Sequence, residues 1–172
     1  DVVLVSGAVG DHGLTIMTQR EGLRFDSPLA SDCAPLAGLV QALLASGADV
    51  HVLRDPTRGG LATALNELAG QSRVSIEVDE AAVPIHDAVR AASEILGLDP
   101  LYVANEGKLI AVVAGHEAQR ALEALRGHPD GREAVVIGHA AADHPGRVVL
   151  RTTLGTRRLL DMLAGEQLPR IC

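Results

Sequence analysis

An α+β domain, one sheet with helices packed on one of its faces, is predicted by three features of the 172-residue sequence. Short β-branched apolar runs of strand length recur along it. Segments with apolar residues at helical spacing lie between them. The two kinds intermix without the strict strand–helix–strand repeat of a parallel sheet. The length suits one substantial core or two small ones, with a single domain as the default. With one Phe, one Tyr and no Trp, that core has to be built from Ala, Val, Leu and Ile.

Val2 to Ala8 reads as a buried strand, and Gly7, Gly10, Asp11 and Gly13 supply a turn before a polar–apolar segment reaching Gln19. Asp26, Ser27 and Pro28 mark a loop. Ala34 to Ala45 has helical periodicity, with Ser31 or Asp32 as candidate N-caps and Gly47 as a stop. Val50 to Leu53 is a short strand, Leu61 to Ala69 a helix, and Val74 to Val78 an alternating strand. Ile85 to Leu96 is a helix closed by Gly97. Leu109 to Val113 is a strand, Glu117 to Leu125 a helix, and Val135 to Ile137 and Val148 to Arg151 are strands. Thr156 to Leu163 reads as a closing helix. Residues 127–132 and 142–147 are turn-rich, and neither has the character of an interdomain linker.

The formal net charge is -7 and no Lys/Arg block occurs, which argues against a nucleic-acid binder. Two cysteines, Cys33 and Cys172, cannot form a disulfide framework. No Cys-x-x-Cys or close histidine pair offers a metal centre, and a reducing, cytoplasmic setting fits best. No apolar run reaches the ~18 residues of a membrane span. Asp1 directly precedes the strand-like Val2-Val3-Leu4-Val5, as if the chain began inside a longer protein.

Three internal motifs have the residue types that chemistry needs. Asp55-Pro56-Thr57-Arg58-Gly59-Gly60 joins a strand to a helix, where glycine admits a close ligand, the helix N-terminus attracts anions, and Arg58 offers a forked donor to phosphate. The same residues also read as an Asp55 N-cap with Pro56 at the first helical position. Asn105-Glu106-Gly107-Lys108 gathers an amide, a carboxylate and the chain's single lysine ahead of a strand. Glu106 is a candidate general base there, or a solvated turn residue. Gly10-Asp11-His12-Gly13 is a glycine-rich turn that either approaches a ligand or only reverses the chain. The histidines are scattered singly, and Cys33 reads as a small buried or half-buried residue.

The chain ends in Pro169-Arg170-Ile171-Cys172, behind the polar Ala164-Gly165-Glu166-Gln167. A terminal segment of nine extended residues at ~3.3 Å each spans roughly 30 Å, the reach of a swinging arm carrying a thiol.

Together, Gly10–Gly13, Asp55–Gly60, Asn105–Lys108 and the Pro-Arg-Ile-Cys ending resemble the HypE family of hydrogenase maturation factors, the carbamoyl dehydratases. These fall in the superfamily of aminoimidazole ribonucleotide synthetase, selenophosphate synthetase and thiamine-monophosphate kinase. The resemblance covers essentially the whole chain. It implies a mixed, largely antiparallel sheet in an α/β sandwich, with residues 1–163 as the C-terminal domain and 164–172 as a flexible tail. The family's N-terminal ATP-binding and dimerisation domain has no counterpart here.

The resemblance further implies that Cys172 receives a carbamoyl group from the carbamoyltransferase HypF, that ATP with Mg2+ activates the amide oxygen, and that dehydration leaves a thiocyanate. The cyanide then passes to iron on the HypC–HypD scaffold, toward [NiFe] hydrogenase. In that scheme Glu106 is the base, Asn105 orients the amide and Lys108 holds Glu106. Asp55, Thr57, Arg58, Gly59 and Gly60 lie near the ATP phosphates, and Arg170 docks the tail or tunes its thiol. The full-length protein is expected to be a homodimer. Two other readings remain open on sequence grounds: a synthetase or kinase acting on a diffusible small molecule, and a non-catalytic module that presents a thiol.

Overall fold

The computed structural model of the chain describes residues 1–22 and 29–162. Seven strands among these residues form one sheet: β1 (Val2–Val5), β2 (Val50–Arg54), β3 (Ser75–Asp79), β4 (Ile110–Val113), β5 (Val135–Ala141), β6 (Val148–Arg151) and β7 (Arg157–Leu159). Their order is β2-β4-β1-β5-β3-β6-β7. Every pairing is antiparallel except β3 with β6. Among the described residues five α-helices accompany them: α1 (Asp11–Arg20), α2 (Ala37–Ala45), α3 (Gly60–Ser72), α4 (Asp87–Leu96) and α5 (Ala118–Arg126). The α+β class and the mixed, largely antiparallel sheet are as expected.

Helices on a single face, however, is not what the strands support. Val3 and Val5 point into a core with Leu61 and Leu65 of α3, together with Ile76, Val78, Ile110, Val112, Ile137, Val148 and Leu150. On the opposite side Leu4, Ala111 and Val113 meet Leu39 and Leu43 of α2 and Ala121 and Leu125 of α5. The physical reason lies in the pattern. Val2-Val3-Leu4-Val5 and Ile110-Ala111-Val112-Val113 are apolar at every position, so both faces need cover. Ser75-Ile76-Glu77-Val78-Asp79 alternates, and only its apolar side is roofed by a helix. Among the described residues the second helical layer therefore covers the β2-β4-β1-β5 half.

Four local expectations are corrected. The segment after Gly10 is the helix α1, whose start is fixed by tertiary contact: Gly13 N–H donates to Ala104 O at 3.0 Å. A Cβ on Gly13 would come within 2.4 Å of Val103 Cγ1, so this glycine serves close packing rather than a turn. Thr156 to Leu163 is not a closing helix. Gly155, at φ 80°, closes a turn in which Thr152 N–H donates to Thr156 O, and the chain returns as β7 against β6. Ser31 and Asp32 do not cap α2, which begins at Ala37. Cys33 is exposed, because the extended segment before α2 turns its neighbour inward instead. The expected loop at Asp26-Ser27-Pro28 and the tail 164–172 lie outside the described residues.

Leu4 is fully buried between the helical layer and the sheet, whereas Leu159 on β7 is half exposed. Leu4→Ala is expected to cost about 2–5 kcal/mol in chemical denaturation, and Leu159→Ala no more than about 1 kcal/mol.

Candidate functional site

Antiparallel pairing puts the C-terminal ends of β1 and β2 and the N-terminal ends of β4 and β5 on one edge of the sheet. All three internal motifs lie on that edge. They converge on Asn105, which is 1% exposed. Its Oδ1 accepts the Gly10 N–H at 2.8 Å, and its Nδ2 donates to Pro56 O at 2.9 Å and Val103 O at 3.1 Å. One amide thus ties Gly10–Gly13 and Asp55–Gly60 to the turn that contains Glu106. Asn105 is committed to loop geometry through both ends of its amide.

The loop from Asp55 to Gly60 does not run as an N-cap at Asp55. Thr57 Oγ1 donates to Asp55 Oδ2 at 2.6 Å, and that bond holds the Asp55 carboxyl below its ordinary range. Helix α3 starts at Gly60 behind Gly59, which has φ 72°. A side chain at Gly59 would be strained by that φ and would strike Thr63 Oγ1 at 2.2 Å. Gly60 is pressed against the carbonyls of Leu101 and Val103, each 2.6 Å from where a Cβ would sit. Beside the loop opens a cleft of about 490 Å³ lined by Arg54, Asp55, Thr57, Arg58, Gly59 and Glu67, among others. Arg54 is paired with Glu67 at 2.6 Å. A helix N-terminus and two guanidinium groups at a cleft of this size suit a phosphate chain.

Glu106 is half-buried, and its carboxylate has no hydrogen-bond partner among the described residues. Its backbone N–H donates to Asp32 Oδ1 at 3.0 Å. Lys108 does not hold Glu106: its Nζ lies 3.4 Å from Asp32 Oδ2 and 3.5 Å from Gly107 O. Cys172 lies outside the described residues, so the structure brings together Asn105, Glu106, Lys108 and the Asp55–Gly60 loop without reporting on the thiol. Among the described residues no group of three or more side chains is arranged to hold a metal ion, and no helix is long and apolar enough to cross a membrane.

Several residues at this edge were not marked by sequence. Asp32 is one. His86 is another: it faces Asp11 of the Gly10–Gly13 motif, with its Nδ1 2.9 Å from Asp11 Oδ1 and its Nε2 3.4 Å from Glu133 Oε1. The hydrogen bond to Asp11 raises His86 above its ordinary value, with Glu133 adding to the effect and burial opposing it. Asp11 and His86 are 75 positions apart, and no local pattern connects them.

These features define a member of an established class: the chain belongs to the AIR synthase related protein, C-terminal domain family, whose model matches residues 1–151. Within that family its similarity is to HypE proteins. It is 55% identical over all 172 residues to the carbamoyl dehydratase HypE of Azotobacter vinelandii, covering 50% of that protein. It superposes with a TM-score of 0.94 on a HypE crystal structure in complex with ATP, at 51% identity over 99% of this chain and 52% of the other. HypE in a crystal structure of a HypE–HypF complex gives 0.89 at 42% identity over 94% of this chain and 52% of the other. The chain therefore spans about half the length of the curated relatives it matches.

Asn105→Asp, nearly isosteric, turns an acceptor toward the Pro56 and Val103 carbonyls. It is expected to lower unfolding free energy by about 3 kcal/mol in urea titration. Because the fold stabilises protonated His86, its contribution is complete below the ordinary value of 6.5 and is lost as pH rises through the raised value. His86→Gln should accordingly lower the denaturation midpoint near about pH 5.5 and leave it unchanged near about pH 9.

Proposed function

We propose that this chain forms the C-terminal part of an ATP-dependent carbamoyl dehydratase, which converts S-carbamoylated Cys172 to a thiocyanate during [NiFe] hydrogenase maturation. The observation that carries the reading is 55% identity, over every residue of the chain, to a protein named for that activity. The geometry supports it: the Asn105 amide places the Glu106 turn beside the loop that borders the phosphate-sized cleft.

A primary amide is a very weak acid and its oxygen a poor leaving group, so dehydration needs oxygen activation and a positioned base. The amide oxygen of Cys172–S–C(O)NH2 takes the γ-phosphoryl group of ATP, releasing ADP. The C–O bond then breaks with loss of phosphate, both N–H protons leave, and Cys172–S–C≡N remains. Glu106 accepts a proton from nitrogen in this scheme. Asn105 holds the turn in place, and its hydrogen bonds favour that task over contact with the substrate amide. Thr57, Arg58, Gly59 and Gly60 border the phosphates. For Mg2+ the cleft offers Asp55, held ionised by Thr57, and Glu67, which is already paired with Arg54. That donor set fits one arm of a nucleotide-bound cation, not a complete site. Magnesium would neutralise phosphate charge there, and Asp55 is the residue to hold it.

The carbamoyl group would come from HypF, as the existence of a HypE–HypF complex supports. The cyanide would leave on a HypC–HypD scaffold in the cytoplasm. The whole protein would be a homodimer whose other half supplies most of the nucleotide site.

Intact mass of the full-length protein, after incubation with the carbamoyltransferase, carbamoyl phosphate and ATP, tests the reading. One carbamoyl group should be gained and one water then lost with ATP-Mg. Cys172→Ala should gain nothing, and Glu106→Gln should load but lose water at least about 100-fold more slowly. Loading that survives Cys172→Ala overturns the assignment and favours a small-molecule synthetase.

A further inference from the structure

We propose that Asp32 is a positioning residue for Glu106, an inference that rests on the dehydratase reading. Asp32 belongs to the extended segment ahead of α2 and is 74 positions from Glu106 in sequence. Its side chain is nevertheless only 3% exposed. Burying a carboxylate is costly unless its charge and lone pairs are met. Here Oδ1 accepts the Glu106 N–H at 3.0 Å, and Oδ2 faces the Lys108 ammonium at 3.4 Å in a geometry that makes no hydrogen bond.

Gly107 shows how closely the two segments are pressed together. A Cβ there would fall 1.7 Å from Asp32 O and 2.9 Å from Ala34 N. The turn and the segment over it are therefore one unit, with Asp32 as its polar fastening.

The charge has its own use. An Asn would also accept the Glu106 N–H, in a weaker bond but at smaller desolvation cost, so backbone fixation alone does not require an acid. What a carboxylate adds is a partner for the only lysine in the chain, two residues from Glu106. With Lys108 turned toward Asp32, the Glu106 carboxylate is left without an ion-pair partner among the described residues. A carboxylate engaged by an ammonium is a weaker proton acceptor than one that is not. Asp32 thus fixes the backbone of the base and keeps the neighbouring cation off it.

Single-turnover loss of water from carbamoylated Cys172, followed by intact mass in the full-length protein at saturating ATP, tests this. Asp32→Ala is expected to slow dehydration about 30-fold, a displacement-sized effect, while the ATP concentration giving half the maximal rate changes by less than about twofold. Added to Glu106→Gln, Asp32→Ala should slow the reaction no further, because it acts through the residue already removed. A merely structural role would multiply the two losses, and that result overturns the proposal, as does a wild-type rate for Asp32→Ala. Asp32→Asn keeps the volume and one acceptor oxygen, so it tests the charge even if the alanine variant fails to fold. It is expected to run about tenfold slow, and a wild-type rate overturns the proposal. If the unmutated protein loads carbamoyl but loses no water, the dehydratase reading itself falls and this assignment with it, an outcome distinct from any variant's behaviour.

Discussion

The hydrogen bonds of the Asn105 amide hold one end of the sheet together. Without them the loop after β1 and the segment before β4 would carry buried backbone groups with nothing to satisfy them, and Pro56 O after β2 would keep only the longer bond from the Asn105 backbone N–H at 3.3 Å. Gly10 N–H, Pro56 O and Val103 O instead find complementary atoms on one side chain that is closed off from water. A buried amide with both ends engaged is rigid, since any rotation exchanges good bonds for unmet ones. Helix α3 is then held from both sides, because its first glycine rests on the 101–103 backbone that Asn105 anchors. The cleft and the Glu106 turn keep a fixed relation as a result.

Much of the fold was legible where side-chain pattern alone decides structure. The unbroken apolar runs of β1 and β4 and the alternation in β3 carry their burial on their face, even though two covered faces were inferable and only one was inferred. Helix α1 was not legible, since a glycine and two β-branched threonines within it give poor helical propensity, and its start depends on Ala104 and Asn105, more than 90 residues away. Strand β7 was missed for a different reason: a three-residue strand has too short a run to outvote helical spacing, and the turn at Gly155 decides the matter.

The candidate site divides along the same line. Motifs contiguous in sequence, Asp55–Gly60 and Asn105–Lys108, announced themselves by residue type and by their place between elements. Their roles did not. Asn105 serves the backbone, and Lys108 serves Asp32 rather than Glu106. Asp32, His86 and Glu133 gave no sign because each acquires meaning only from a partner dozens of residues distant. In a sequence, a buried acid and a capping acid look identical, and only its surroundings tell which one Asp32 is.

Tyr102 donates its hydroxyl to the backbone carbonyl of Asp161 at 2.7 Å, and burial, with Asp99 reinforcing it, lifts its phenol above the ordinary range. The chain has no tryptophan and no second tyrosine. Phe25 is the only other aromatic residue, so the tyrosine band of absorption and fluorescence from this chain comes from one ring, fastened to the backbone at Asp161. One built-in tyrosine thus reports on the contact between residues 102 and 161, which can be watched optically without attaching a label.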